Sequence, residues 1–137
     1  MKEIFGTDEA NFLNLGNVCN NNCWFCTNKG KDKRFKESKE IDKETEHLDK
    51  CRKLVLYSEP TIHPNFLEII PLLKERGFDD INILTNGRML SNLEFCKKVS
   101  SLGIASFIIK VNGHTEHIHD PLARVKGSFN QTIKGIK

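Results

Sequence analysis

The feature that most constrains the fold is a repeated alternation of short apolar segments with longer amphipathic ones. Four segments are short, apolar and rich in residues that favour strands; they cover residues 11–15, 54–57, 81–84 and 104–111. Helical spacing of apolar residues follows after most of them. Strands joined by helices through short links predict a parallel sheet with right-handed crossovers, and therefore an α/β fold.

Helices are expected to cover this sheet. They are predicted over residues 37–51, from residue 63 to Gly77, over residues 92–102, and from Ser128, a predicted N-cap, to the end of the sequence. Pro71 lies inside the second of them and is expected to bend it or to shift its start. The residues expected to face the core from the first and third helices are Ile41, Leu48, Cys51, Leu93, Val99 and Leu102.

Composition is ordinary for a globular protein of one domain. The 137 residues are 38% hydrophobic and 28% charged, with a formal net charge of +3, which is too small to indicate nucleic acid by itself. Apolar runs are far too short to span a membrane. The N-terminus carries Glu3 and no apolar stretch, unlike a secretory signal. We therefore expect a cytoplasmic protein that does not contact a membrane.

The residues with unusual chemistry all follow predicted strands. In parallel sheets the carboxyl ends of the strands lie at one edge, where ligands bind. Here those ends carry residues 16–26, 57–63, 85–87 and 110–114. The sequence therefore predicts one site at this edge.

Three cysteines, Cys19, Cys23 and Cys26, lie within eight residues. In a reducing cytosol, close cysteine spacing indicates metal or redox chemistry rather than disulfides. Thiolates bind iron–sulfur clusters or zinc. A closed zinc site takes four ligands, whereas this loop offers three, which would leave one iron of a cubane cluster open to a small molecule. Cys51 and Cys96 stand alone on predicted helices and are expected to be buried packing residues.

This spacing, with an aromatic residue just before the last cysteine, resembles the signature of radical S-adenosylmethionine enzymes. The resemblance implies that Cys19, Cys23 and Cys26 hold a [4Fe–4S] cluster whose open iron is chelated by S-adenosylmethionine. It implies that the reduced cluster cleaves the sulfonium to a 5′-deoxyadenosyl radical, which abstracts hydrogen from a substrate. Phe25 would lie near the adenine. A reductant such as flavodoxin or ferredoxin is the partner that this chemistry implies.

The segment Ser58-Glu59-Pro60 is similar to the Gly-Gly-Glu-Pro segment of that family. The resemblance implies that Glu59 and the neighbouring backbone, including Ser58, bind the methionine ammonium. Tyr57 and Ser58 stand in place of the two glycines, which would allow a ligand to approach the backbone closely. A tyrosine at this point is expected to be the larger obstruction.

Two further strand ends resemble cofactor contacts of the family. Thr85-Asn86-Gly87 is similar to its Thr-Asn-Gly segment, which makes Asn86 a candidate polar contact, the alternative being an ordinary Asn-Gly turn. After the fourth strand, Lys110 occupies the position of a small polar residue that contacts the ribose. Either Lys110 or Asn112 is expected to contact the cofactor.

Two charged segments allow other interpretations. His114, His117, His119 and Asp120 are compatible with a zinc site, but they resemble a turn before a helix in which the histidine and aspartate are structural. Residues 29–39 are basic with interspersed acidic residues, a pattern typical of solvated surface, with RNA binding as the alternative.

The family core usually has six strand–helix units, and this chain accounts for about four. We therefore expect residues 1–137 to form a partial (β/α) barrel, a radical S-adenosylmethionine core domain truncated at its C-terminus or completed by a missing segment or a partner chain. The predicted function is an oxidoreductase-type enzyme acting on an unknown substrate, with peptide modification or cofactor maturation favoured by the resemblance. The alternatives are a non-catalytic cluster-binding homologue and a zinc-binding interaction module.

Overall fold

The computed structural model describes residues 10–137, and the fold is built on a single sheet. The strands are β1 (Ala10–Asn14), β2 (Lys53–Tyr57), β3 (Ile81–Thr85) and β4 (Ser106–Ile109). They are all parallel and lie in chain order, β1-β2-β3-β4. The helices are α1 (Ser38–Thr45), α2 (Phe66–Glu75), α3 (Leu93–Ser100), α4 (Glu116–Ala123) and α5 (Ser128–Ile136). The predicted α/β fold is confirmed, and the arrangement is consistent with a partial β/α barrel.

Alternation along the strands separates the two faces of the sheet. One face packs under the helices and forms the hydrophobic core, to which the strands contribute Leu13, Leu54, Leu56, Ile81 and Ile83 and the helices Ile41, Phe66, Ile70, Leu73 and Val99. On the other face, the rings of Phe12 and Tyr57 pack in a T-shaped arrangement, and Ser106 donates a hydrogen bond to Asn82 across β3 and β4. The strand ends that carry the predicted site extend from this sheet at one edge.

The first helix is shorter than predicted, and this changes the position of Cys51. The structure ends α1 at Thr45, and turns occupy the residues up to β2. The Asp49 carboxylate accepts hydrogen bonds from the backbone N of Cys51 and from Arg52, a local pairing that favours a turn over a helix. Cys51 is exposed rather than buried, so the prediction that it packs in the core was wrong.

The third helix begins one residue later than predicted, because Asn92 caps it with its side chain. Leu93, predicted to face the core, is 68% exposed. Cys96 is half-buried and lies against the carbonyl of Leu90. Val99 is buried, as predicted.

The remaining differences concern boundaries and one helix that the sequence did not reveal. Helix α2 continues through Pro71 and begins at Phe66, after a short 3₁₀ turn at Pro60–Ile62. Helix α4 was not predicted. Helix α5 begins at Ser128, with Gly127 in the preceding cap position. No helix within residues 10–137 is long and apolar enough to cross a membrane.

Candidate cofactor site

The cysteine loop, defined here as residues 15–36, is closed at its base by an antiparallel bridge. Gly16 pairs with Phe35, Asn17 N donates to Arg34 O over 3.0 Å, and Lys36 N donates to Leu15 O over 2.9 Å. Gly16 has φ of 136°, and a Cβ there would lie 2.5 Å from Arg34 O. Glycine is therefore required at the point where the two arms of the loop meet.

The three cysteines lie in the irregular backbone of the loop, and one turn joins Cys23 to Cys26. Cys26 N donates to Cys23 O over 3.2 Å, which folds the second half of the motif. Backbone N–H groups point at two of the sulfurs: Asn21 N lies 3.3 Å from Cys19 Sγ, and Asn28 N lies 3.4 Å from Cys26 Sγ. All three thiols are free. Within residues 10–137, no three Cys, His, Asp or Glu side chains converge on a point that would hold a single metal ion.

The protonation of two thiols is set by their surroundings. Desolvation by the surrounding protein raises the pKa of Cys19 to about 11; the hydrogen bond from Asn21 N opposes this rise, and the nearby Glu59 carboxylate adds to it. Desolvation also raises the pKa of Cys23, against the opposing charge of Lys110. Binding of a metal at these sulfurs must therefore displace protons.

Glu59 lies in the turn after β2 and is only 6% exposed. One carboxylate oxygen, Oε1, accepts hydrogen bonds from the hydroxyls of Thr61 and Thr85, the latter over 2.6 Å. The other, Oε2, accepts from Asn86 N over 2.7 Å. A carboxylate has about four lone-pair positions, so Oε2 can accept one more donor. Among residues 10–137, no Lys, Arg or His forms an ion pair with Glu59.

The next feature is the backbone after β2, where Tyr57 and Ser58 occupy the positions at which the resemblance implies glycines. Ser58 and Glu59 have φ of 68° and 58°, in the left-handed region, whereas Tyr57 does not. The Ser58 hydroxyl accepts hydrogen bonds from Asn14 Nδ2 over 3.1 Å and Asn28 Nδ2 over 2.7 Å. Ser58 therefore ties the cysteine loop to the end of β1, a contact that glycine cannot make. The ring of Tyr57 packs against Phe12, with centroids 6.4 Å apart.

Asn86, at the end of β3, holds the cysteine loop from its Cys19 side. Its Nδ2 lies 2.6 Å from Asn20 Oδ1 and 3.8 Å from Cys19 Sγ. Its backbone N is the one that binds Glu59. Asn86 therefore joins the carboxylate and the first cysteine.

Arg88 is a residue at this edge that the sequence did not single out. Its guanidinium donates to Asn20 O, to Asn21 Oδ1 and to Gln131 Oε1 on α5. In the sequence Arg88 simply follows an Asn-Gly turn. Only its hydrogen bonds in the folded structure distinguish it from the many exposed basic residues.

The end of β4 reaches the opposite side of the loop. Lys110 Nζ lies 4.6 Å from the centroid of the Phe25 ring, a cation–π geometry. The Asn112 side chain lies near Cys23 and counteracts the rise in the pKa of that thiol that burial causes. Phe25, Lys110 and Asn112 therefore meet near Cys23, while Glu59 and Asn86 meet near Cys19.

The histidine-rich segment has a structural role that agrees with the sequence prediction for its histidine and aspartate. His119 is fully buried, and its Nδ1 accepts a hydrogen bond from Asn112 N over 3.2 Å. Asp120 accepts from Ser128 Oγ and from the backbone N of Phe129, and so caps α5. His114 and His117 are exposed. His119 thus supports the backbone that carries Asn112.

The fold and this edge define a class: a parallel α/β protein with a three-cysteine loop after its first strand and a buried glutamate after its second. The sequence profile of the radical SAM superfamily matches residues 13–137. The chain therefore belongs to the radical SAM superfamily, whose members typically use a [4Fe–4S] cluster and S-adenosylmethionine.

Three curated relatives of the chain are each named as a probable GTP 3′,8-cyclase. A probable GTP 3′,8-cyclase of Saccharolobus islandicus is 27% identical over 130 residues, which are 91% of this chain and 41% of that protein. The probable GTP 3′,8-cyclase of Methanocaldococcus jannaschii is 25% identical over 144 residues, covering 100% of this chain and 47% of the relative. That of Saccharolobus solfataricus is 27% identical over 132 residues. The chain spans less than half the length of these relatives.

Proposed function

We propose that Cys19, Cys23 and Cys26 hold a [4Fe–4S] cluster and that S-adenosylmethionine binds beside it. The donor set supports this: three free thiols share one loop, with N–H groups directed at two of the sulfurs. Such hydrogen bonds accompany cluster thiolates and tune their potential. A cubane binds its cysteines through different iron atoms, so its thiolates surround a volume and need not converge on one point.

The observation that carries the proposal for S-adenosylmethionine is the buried carboxylate of Glu59. A buried charge is costly unless it is paired. Three hydrogen bonds orient this carboxylate, yet no cationic side chain of the described residues forms an ion pair with it. Asn86 contacts Glu59 Oε2 through its backbone N and Cys19 Sγ through its side chain, which places the carboxylate beside the cysteine loop. An ammonium group next to the cluster is the complement that this arrangement favours.

The other site residues are proposed to contact different parts of the cofactor from the two sides of the cysteine loop. Phe25 is proposed to pack by the adenine, with Lys110 over its ring. Lys110 or Asn112 is proposed to contact the ribose or the carboxylate. Ser58 and Asn86 are proposed to hold the backbone that frames the methionine end. A cluster held by Cys19, Cys23 and Cys26 would supply the electron for reductive cleavage of the S-adenosylmethionine bound beside it, and the proposed reaction is hydrogen abstraction from a substrate.

The proposed class is an oxidoreductase-type enzyme whose substrate is a peptide or a cofactor precursor. The names of the relatives make GTP a substrate to test. These relatives are 25–27% identical to the chain, and the chain aligns with less than half of their length. A reductant such as flavodoxin or ferredoxin is the proposed electron donor. A further segment or a partner chain is proposed to complete the barrel beside β4.

The experiment is to measure binding and cleavage of S-adenosylmethionine by the anaerobically reconstituted chain and by its Glu59→Gln variant. The amide keeps the shape but loses the charge that pairs with the ammonium. Truncating one partner of a buried charge pair costs about 2 kcal/mol or more, so the affinity should fall at least roughly thirtyfold. Glu68→Gln, at an exposed position on α2, is the matched control and should bind as the wild type does.

Iron content should be equal in all three proteins. Wild-type affinity in Glu59→Gln would contradict the role of this carboxylate. A loaded cluster that yields no 5′-deoxyadenosine would instead support the non-catalytic homologue.

A further inference from the structure

Arg88 lies in the 3₁₀ turn Arg88–Ser91 that follows β3, and it is half-buried. Its Nη1 donates to the carbonyl of Asn20 and, over 2.9 Å, to Asn21 Oδ1. Its Nε donates over 2.6 Å to Gln131 Oε1 on α5. Within the described residues it forms no ion pair with an acidic side chain. Its side-chain hydrogen bonds therefore join the cysteine loop to helix α5.

The segment that Arg88 holds lies between the first two cysteines. Asn21 N is the donor that points at Cys19 Sγ over 3.3 Å. The guanidinium binds the carbonyl of the same peptide unit, since Asn20 O and Asn21 N belong to one planar amide. Fixing that carbonyl therefore fixes the direction of the N–H···S hydrogen bond.

Helix α5 supports Arg88 from behind. Thr132 Oγ1 donates to Asn86 O over 2.9 Å, and a Cβ on Gly135 would collide with Gly87 O. The helix thus packs against the turn that carries Arg88, and Gln131 sets the orientation of the guanidinium. A continuous chain of contacts leads from α5 through Arg88 to Cys19.

We propose that Arg88 is a positioning residue that sets the reduction potential of the cluster by orienting the Asn20–Asn21 peptide toward Cys19 Sγ. This inference rests on the proposed function, because it needs the cluster. A hydrogen bond to a thiolate stabilises the more negative, reduced form and raises the potential. Loss of the orientation should therefore shift the potential to more negative values.

The test compares Arg88→Met and Arg88→Lys by redox titration of the reconstituted chain, followed by electron paramagnetic resonance. Lysine keeps the positive charge but not the planar fork that binds the carbonyl, the amide and Gln131 together. Both variants should show a more negative midpoint potential than the wild type. Arg52→Met is the matched control, because Arg52 pairs with Asp49 just before β2 begins, at the amino ends of the strands and away from the site. Its potential should be unchanged.

A wild-type potential in Arg88→Met would overturn the inference. A wild-type potential in Arg88→Lys with a shift in Arg88→Met would also overturn it, because charge alone would then explain the effect. If Arg88→Met fails to fold, Gln131→Leu decides: a smaller shift in the same direction supports the inference, and no shift contradicts it. A wild-type chain that takes up no cluster would refute the proposed function instead, so the two failures are distinguishable.

Discussion

Ser58 combines a conformation that favours glycine with a contact that glycine cannot make. Its φ of 68° costs a non-glycine residue about 1 kcal/mol or more. Its hydroxyl, however, accepts hydrogen bonds from Asn14 and Asn28, so it joins β1 to the end of the cysteine loop. The hydrogen bonds offset the backbone strain, which gives a serine at this position a structural reason.

Two substitutions separate these effects. Ser58→Ala keeps the strain and loses both hydrogen bonds, so it should lower the free energy of unfolding by about 1–2 kcal/mol. Ser58→Gly loses the same hydrogen bonds but relieves the strain, and it should be more stable than Ser58→Ala by about 1 kcal/mol. Urea unfolding of the three proteins measures both differences. An alanine variant as stable as the glycine variant would show that the left-handed strain is absent.

At the scale of elements, Asp120 determines how α4 is joined to α5. It is buried and accepts hydrogen bonds from Gly127 N, Ser128 Oγ and Phe129 N. Burial alone would raise the pKa of Asp120, but these hydrogen bonds together hold it below its usual range. The ionised carboxylate also lies at the N-terminus of α5, where the helix dipole favours a negative charge.

This depressed pKa predicts a pH dependence of stability. The stabilisation from Asp120 should be complete above the unfolded pKa of about 3.9 and should be lost as the pH falls through the lower, folded pKa. Asp120→Asn keeps an acceptor but not the charge, and should cost about 1–2 kcal/mol at pH 7. Urea unfolding at pH 7 and at pH 3 compares the two proteins. A difference that stays constant down to pH 3 would contradict the assignment.

The sequence predicts elements well where apolar residues alone decide them. The strands are predictable because apolar runs such as Leu54–Leu56 and Ile81–Ile83 favour burial in a parallel sheet. Prediction from the sequence fails where hydrogen bonds of polar side chains determine the local structure. Asp49 accepts a hydrogen bond from Cys51 N and so stabilises a turn there. Asp120 joins α4, which contains Pro121, to α5. Helix α4 went undetected because a proline within eight residues obscures the helical pattern.

At the scale of the molecule, the edge of the sheet was predictable but its connections were not. Strand order places the cysteine loop, Glu59, Asn86 and Lys110 at one edge, and this follows from topology. The contacts of Arg88 join residues more than forty positions apart, for example to Gln131 with a separation of 43. No local pattern reveals such a pairing, because it depends on the packing of α5 against the end of β3.

The two C-terminal helices of the described chain also contact the site. Thr132 and Gln131 of α5 reach Asn86 and Arg88, and Asn22 N donates to the carbonyl of Ala123 at the end of α4. The fourth strand–helix unit therefore supports the cysteine loop directly. We expect loss of α5 to weaken cluster retention even though every proposed ligand precedes it.

Electron paramagnetic resonance of the reduced chain, after anaerobic reconstitution with iron and sulfide, tests the proposed cluster and its cofactor together when it is recorded with and without S-adenosylmethionine. We expect a [4Fe–4S]⁺ signal that changes when S-adenosylmethionine is added, and no such signal in Cys23→Ala. A cluster signal indifferent to S-adenosylmethionine would contradict the proposed cofactor site. The absence of any cluster in the wild-type chain would contradict the assignment of Cys19, Cys23 and Cys26 as its ligands.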